Sequence, residues 1–404
     1  ASLTSAQAAA ITSEQTDAMT TSDLAALSTA AVRTLSTDAL AALDSAQIGQ
    51  LTTAQVVALT TAQIASLDTG DFNALTTAQF AALTSAQVAA ITSDQADAMT
   101  TSDLAAISTA SIRAFTSGAL EALDSAQIGR LTTAQVVALT TAQIASLGSD
   151  DLNALTTAQF AVLGSAQARA LTSEQADTMT TADLAAIGTA AIRALSTDAL
   201  AVLDSAQFNA LTTAQFAALT STQAAAITSE QTDAMTTADL AALSTAAIRS
   251  LSTDAIAALD SAQIVQMTTA QVVAMTGSQI ASLDTGDFNA LSTLQFAMLS
   301  SSQVASITSK QTDAMTTADL AAISTAAIKS LSTDALAALD SAQIGQLTTS
   351  QVVALTTAQI ASLDSADLNA LTSAQFAAFS SGQARALSSE QADTMTTGDL
   401  AALS

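Results

Sequence analysis

The stretch Leu51–Leu67, LTTAQVVALTTAQIASL, spells nearly the same eight-residue word twice. Eight is neither the near-seven spacing of a helical seam nor the two-residue alternation of a half-buried strand. Wound into one continuous helix, the leucine position would advance by roughly 80° per word, so the apolar stripe would circle the axis and never present a face. The word has to be a structural unit in its own right. Stepping by eight from Leu3 through Ile11, Met19, Leu27 and on to Leu403 meets Leu, Ile, Met or Phe at all 51 positions, with no insertion or deletion. Register held over the whole length predicts one repeated architecture rather than several domains.

The position after the ladder residue decides the secondary structure. It reads Thr4, Thr12, Thr20, Ser28, Ser36, Asp44, Thr52, Thr60 and so on, always Ser, Thr or Asp except at Gly148, Gly164 and Gly188. That is the set of residues that cap helix N-termini, because a short side-chain oxygen accepts one of the orphan N–H groups of the first turn. Three residues later stands mostly Gln or Asp, so Thr52 and Gln55 form a capping box, and Leu51 with Val56 a hydrophobic staple. The next word repeats the signature with Leu59 and Thr60, and Ile64 and Phe72 continue the Val56 position. Seven of the nine basic residues fall five places after a cap (Arg33, Arg113, Arg169, Arg193, Arg249, Lys329, Arg385), and most acids fall at the cap or just after it, as the helix dipole favours. The glycines occupy several phases of the word, so no position demands positive φ, and the extended cap itself makes the corner. The expected fold is an all-α solenoid of very short N-capped helices, one per octapeptide, spanning 1–404. A β-solenoid is the alternative that Thr, Val and Ile allow, although abundant Ala and Gln disfavour strands.

Composition narrows function. The 404 residues carry a net charge of −26, with only nine Lys plus Arg, which excludes a phosphate-neutralising nucleic-acid surface. Polar residues interrupt every word, so no membrane-spanning run of apolar residues exists and no membrane insertion is expected. Without His or Cys there is no imidazole base, no thiol nucleophile and no thiolate or imidazole metal site. Repetition offers no unique cleft, so no enzyme and no cofactor are expected. Both ends fall mid-word, without the atypical capping units of solenoid termini, and the chain reads as a segment of a longer protein.

A longer period runs through the words. TSEQTDAM at Thr12–Met19 returns at Thr92, Thr172, Thr228, Thr308 and Ser388, giving an 80-residue superrepeat with one copy of 56. These words break the local rules: they place an acid late, where the dipole disfavours it, and Ala or Thr where the N4 hydrophobe belongs. Such breaks mark candidate contact points. Sixteen residues after five of the late acids stands a base, giving the pairs Asp17–Arg33, Asp97–Arg113, Asp177–Arg193, Asp233–Arg249 and Asp313–Lys329. If two words made one coil, each pair would lie on neighbouring coils and fix register, at about 0–1 kcal/mol each. Glu14, Asp17 and Asp23 gather three carboxylates, and Asp68 stands near Asp71; these are candidate calcium ligands, although their spacing matches no known calcium loop.

LTTAQVVALTTAQIASL resembles the Thr/Ala/Gln-rich octapeptide arrays of giant bacterial secreted surface proteins, which are S-layer-like or adhesin-like. The resemblance covers the whole chain and implies a location outside the cell or at its surface. LTTAQVVAL is also similar to the opening of the DNA-reading repeats of plant-pathogen effectors, but the eight-residue period and the acidity end that likeness after one word. The reading reached is a structural protein whose repeat rod assembles with copies of itself into a filament, sheet or surface layer. The alternatives are an adhesin stalk that spaces a separate tip from the cell, and an ice-binding threonine array if the chain is a β-solenoid.

Overall fold

A computed structural model describes residues 3–403 of the chain. Fifty helices of four to six residues follow one another, one per word, and no strand occurs among the described residues. The β-solenoid alternative is therefore wrong, and the ice-binding reading that depended on it falls with it. Two compact units divide the chain, 1–203 and 204–404, each with twenty-five of the helices.

Each helix starts where the cap residues predict. In the helix Thr133–Ala138, Thr132 is extended (φ −69°, ψ 152°), its hydroxyl accepts the N–H of Gln135, and the Gln135 side chain accepts the N–H of Thr132. The helix ends six residues later at Leu139, also extended (φ −56°, ψ 139°), and Thr140 (φ −75°, ψ 162°) opens the next one. Two consecutive extended residues, ladder leucine then cap, thus make this corner, and the same pair recurs at Leu59–Thr60, Leu67–Asp68 and Leu75–Thr76. No residue of positive φ occurs among the described residues, glycines included.

Three positions of each word point inward. The ladder residue, the N3 residue and the N4 residue are buried along both units, while N1, N2 and N5 face out. Burying a Leu or Ile side chain stabilises by about 1.5–3 kcal/mol, and helices this short do not hold in isolation. Stacking supplies the burial: within each unit a helix packs against the helix three words further on, as Ser45–Gly49 does against Thr69–Ala74 and Ser341–Gly345 against Ser365–Asn369. Hydrogen bonds tie the same helices to those four words away, as from Gln135 back to Leu104. A coil therefore takes more than three and fewer than four words, between 24 and 32 residues.

This corrects the two-word coil. Residues sixteen apart, such as Asp17 and Arg33, are separated by half to two-thirds of a turn and stand on different sides of one coil, so they are not neighbours on successive coils. The physical reason is the corner: two extended residues between rigid turns close a coil only after more than three words. The small N4 residues of the rule-breaking words also acquire a structural explanation. The helix of Phe72 packs on that of Ala96, the helix of Phe288 on that of Thr312, and that of Phe208 on that of Thr232. At these places a large N4 side chain is followed, one coil on, by a small one, which suits close packing of a thin core; Phe80, Phe160, Phe216, Phe296 and Phe376 are instead followed by leucine. The Thr312 hydroxyl, fully enclosed, donates to the carbonyls of Ser309 and, across the coil, Ala335.

Candidate functional site

With one unit repeated fifty times, function has to reside either in what links the coils or in what they present outward. The link is the N3 glutamine. Gln135 accepts the N–H of Thr132 at 2.8 Å through Oε1, and its Nε2 donates to Leu104 O and Ile107 O, both at 2.8 Å. One amide thus satisfies an orphan donor at its own helix start and the free carbonyl of a ladder residue in the preceding coil, and shares the Leu104 carbonyl with the Ile107 N–H. The arrangement recurs at Gln55, Gln143, Gln175, Gln271, Gln311 and Gln359, always to carbonyls 28 and 31 residues earlier. Of the residues predicted to carry the fold, Leu51, Gln55, Val56 and Leu59 are buried, and Thr52 and Thr60 cap their helices. The signature of a capping box does not disclose this second role of Gln55.

Where N3 is Asp, the direction reverses, because a carboxylate has no donor. A hydroxyl of an earlier coil supplies it. Ser45 Oγ donates to Asp71 Oδ1 at 2.8 Å, Thr77 to Asp103 at 2.9 Å, Ser261 to Asp287 at 2.7 Å and Ser341 to Asp367 at 2.8 Å. A third tie is asparagine at N5: Asn73, Asn153, Asn289 and Asn369 each donate Nδ2 to a carbonyl 25 residues further on, while their enclosed Oδ1 atoms lack a partner.

These carboxylates respond to pH. Burial raises Asp71, Asp183, Asp287 and Asp367 above the ordinary 3.8, with hydroxyl hydrogen bonds opposing; at Asp71, Asp287 and Asp367 neighbouring acids add to the rise. Asp23, fully exposed, is lowered by its bonds to Thr20. A raised carboxyl favours the folded chain in its protonated form. That contribution is fully present below the ordinary value and is lost as pH rises through the folded one. The melting temperature therefore increases as pH falls from about 7.5 to about 4.5, and the fourfold change of these aspartates to asparagine flattens the trend. Circular-dichroism melts across that range check it; a melting temperature that falls on acidification contradicts it.

The candidate calcium ligands have other employment. Asp68 caps its helix, accepting the N–H of Asp71 at 2.8 Å, and Asp71 is held by Ser45. Asp23 pairs with Thr20, Glu14 and Asp17 are exposed, and no three acidic side chains converge as a metal site among the described residues. No described helix is long and apolar enough to cross a membrane.

Outside, charge is sorted onto columns of stacked helices. In the first unit, Ser85–Val88, Thr109–Ile112, Thr133–Ala138 and Thr157–Phe160 stack in succession, and their words contain no Asp or Glu and one base, Arg113. In the second unit Ser301–Val304, Thr325–Ile328, Thr349–Ala354 and Ser373–Ala377 do the same, with Lys329. Elsewhere on the first unit, Ser45–Gly49, Thr69–Ala74, Ser93–Ala98 and Ser117–Glu121 stack into a column holding Asp44, Asp68, Asp71, Asp94, Asp97 and Glu121 and no base. The 80-residue superrepeat explains how sorting persists within a unit. A coil of about 27 residues, within the 24-to-32 range, goes three times into 80, and on that coil length a word returns to its side of the solenoid after one superrepeat. The five late acids and the five bases paired with them by sequence are all exposed.

No curated protein matches this chain. A family model, described as the ALTTAQ repeat, matches twelve overlapping or neighbouring stretches: 17–53, 40–69, 64–101, 97–133, 144–181, 177–213, 233–269, 280–317, 312–349, 336–365, 349–381 and 360–397. The word itself stands at Ala74–Gln79, across a ladder leucine, its cap and the glutamine that ties the coils. With most of its length matched, the chain belongs to the ALTTAQ repeat family.

Proposed function

We propose that this chain is a structural protein whose repeat array forms a rod and associates with further copies into a filament, sheet or layer outside the cell, without catalytic activity. The observation that carries the reading is that stacks of acid-free words around one base recur 80 residues apart within each unit, at Arg33 and Arg113 and at Arg249 and Lys329. A surface repeated at fixed intervals multiplies any weak contact between copies by the number of intervals. Exposed Ala, Thr, Ser and Val give such contacts at little cost in side-chain entropy. The absence of Cys suits an oxidising exterior, and the strong negative charge keeps unassembled chains apart. Electron microscopy of the purified chain at neutral pH is expected to reveal ordered bundles or sheets. Isolated rods at every concentration, salt and cation condition would reject assembly and favour a passive stalk.

A further inference from the structure

We propose, building on the self-association just described, that copies join side by side by docking the acid-free, base-bearing column of one copy onto the acidic column of the next. The acid-free column is the one place on this acidic surface where a neighbouring chain meets least repulsion. It also holds much of the exposed apolar surface: Val137 is 55% exposed and Val353 46%. Val137 shares a shallow dent with Arg113, Thr109, Thr133 and Val162, and Val353 shares its equivalent with Thr325 and Thr349. Lone bases without a carboxylate in their own words are the complement of the acidic columns, in which carboxylates outnumber bases: the column through Asp97 has no base, and the column through Asp177 has Arg130 alone.

Charge decides which faces meet. Two acid-free columns brought together oppose base to base, and two acidic columns oppose carboxylates; only the unlike pairing is attractive. Position decides what the pairing builds. Asp97 and Arg113 are sixteen residues apart, half to two-thirds of a coil, so the two faces point to nearly opposite sides of each unit. A contact between unlike faces on opposite sides is heterologous and does not close on a dimer; it continues from copy to copy and builds a row. Both faces recur with the same 80-residue interval within a unit, so when one base meets one late acid the next base and the next late acid of that unit are offset equally along the two copies.

Two charge-reversed chains test this. One carries Arg33→Glu, Arg113→Glu, Arg193→Glu, Arg249→Glu and Lys329→Glu; the other carries Asp17→Lys, Asp97→Lys, Asp177→Lys, Asp233→Lys and Asp313→Lys. All these side chains are exposed, and a helical far-UV spectrum establishes folding; if either chain loses it, the milder Arg→Gln and Asp→Asn sets replace it, with loss of assembly as the readout. Sedimentation and electron microscopy at low salt give the result. Each reversed chain alone is expected to need at least about tenfold more protein to assemble, the equimolar mixture to assemble like the original chain, and 1 M salt to disperse both, since the Debye length is then about 3 Å. Reversed chains that assemble alone as the original does, or a mixture that stays dispersed, overturn the pairing of faces while leaving self-association standing. An original chain that never assembles overturns self-association, and the pairing with it.

Discussion

Replacing Gln135 with leucine destabilises the first unit by about 2–5 kcal/mol, because it leaves the Thr132 N–H and the Ile107 carbonyl without partners, and takes from the Leu104 carbonyl one of its two donors, at a side chain that is 1% exposed. Leucine nearly matches the volume of glutamine, so lost packing contributes little. The matched control is Gln15→Leu. Gln15 makes the same bonds to its own cap, but its side chain is exposed and, among the described residues, it ties no other coil. Its replacement costs about 0.5–1 kcal/mol. Urea unfolding gives the totals, and hydrogen exchange localises the loss to the helices Thr101–Ala106 and Thr133–Ala138. Equal costs at the two positions would show that the glutamine acts as a local cap and nothing more.

The second large effect comes from the thin core. Phe72 is fully buried and meets Phe80 edge-on, with ring centroids 5.1 Å apart and planes at 86°. Phe72→Ala costs about 3–5 kcal/mol, since a coil one side chain thick has little with which to fill the cavity. Ala96→Leu alone costs about 1–3 kcal/mol by overfilling the facing helix. Combined, they cost less than the two added together, because the large and small partners have been exchanged between successive coils. A double-mutant cycle by urea unfolding measures that coupling. Strict additivity would mean that Phe72 and Ala96 do not share a space and that the size alternation has another origin.

The two effects mark where sequence reading succeeds and where it stops. Everything within a word is local chemistry, and it is legible: Thr52 as cap, Gln55 as its reciprocal partner, Leu51 and Val56 as the staple, and an extended corner that needs no glycine. Closure of the coil is not local. The bonds from Gln55 reach residues 28 and 31 places back, and nothing in the words between Ser28 and Thr52 announces that reach. One signal of it does stand in the sequence. A capping box accepts Glu as readily as Gln, yet Glu never stands at N3 in this chain. Only Gln has a donor left over once its oxygen is used, and where Asp replaces it at position 71, Ser45 supplies the missing proton from the preceding coil. The Asp17–Arg33 spacing misleads for the complementary reason. A constant separation in sequence reports constant separation in space, and here that separation sets two faces apart rather than bringing two charges together.

The size of the coil underlies the glutamine ladder, the size alternation and the sorting of charge alike, and a spin-label distance measurement tests it directly. The chain has no cysteine, so pairs can be introduced cleanly: Ser125→Cys with Asp151→Cys, whose native side chains touch at 2.9 Å, and Asp97→Cys with Arg113→Cys. Strong dipolar broadening is predicted for the pair 26 residues apart and none for the pair sixteen apart. Broadening in the sixteen-residue pair, with none in the other, would mean a coil of two words and would contradict the account.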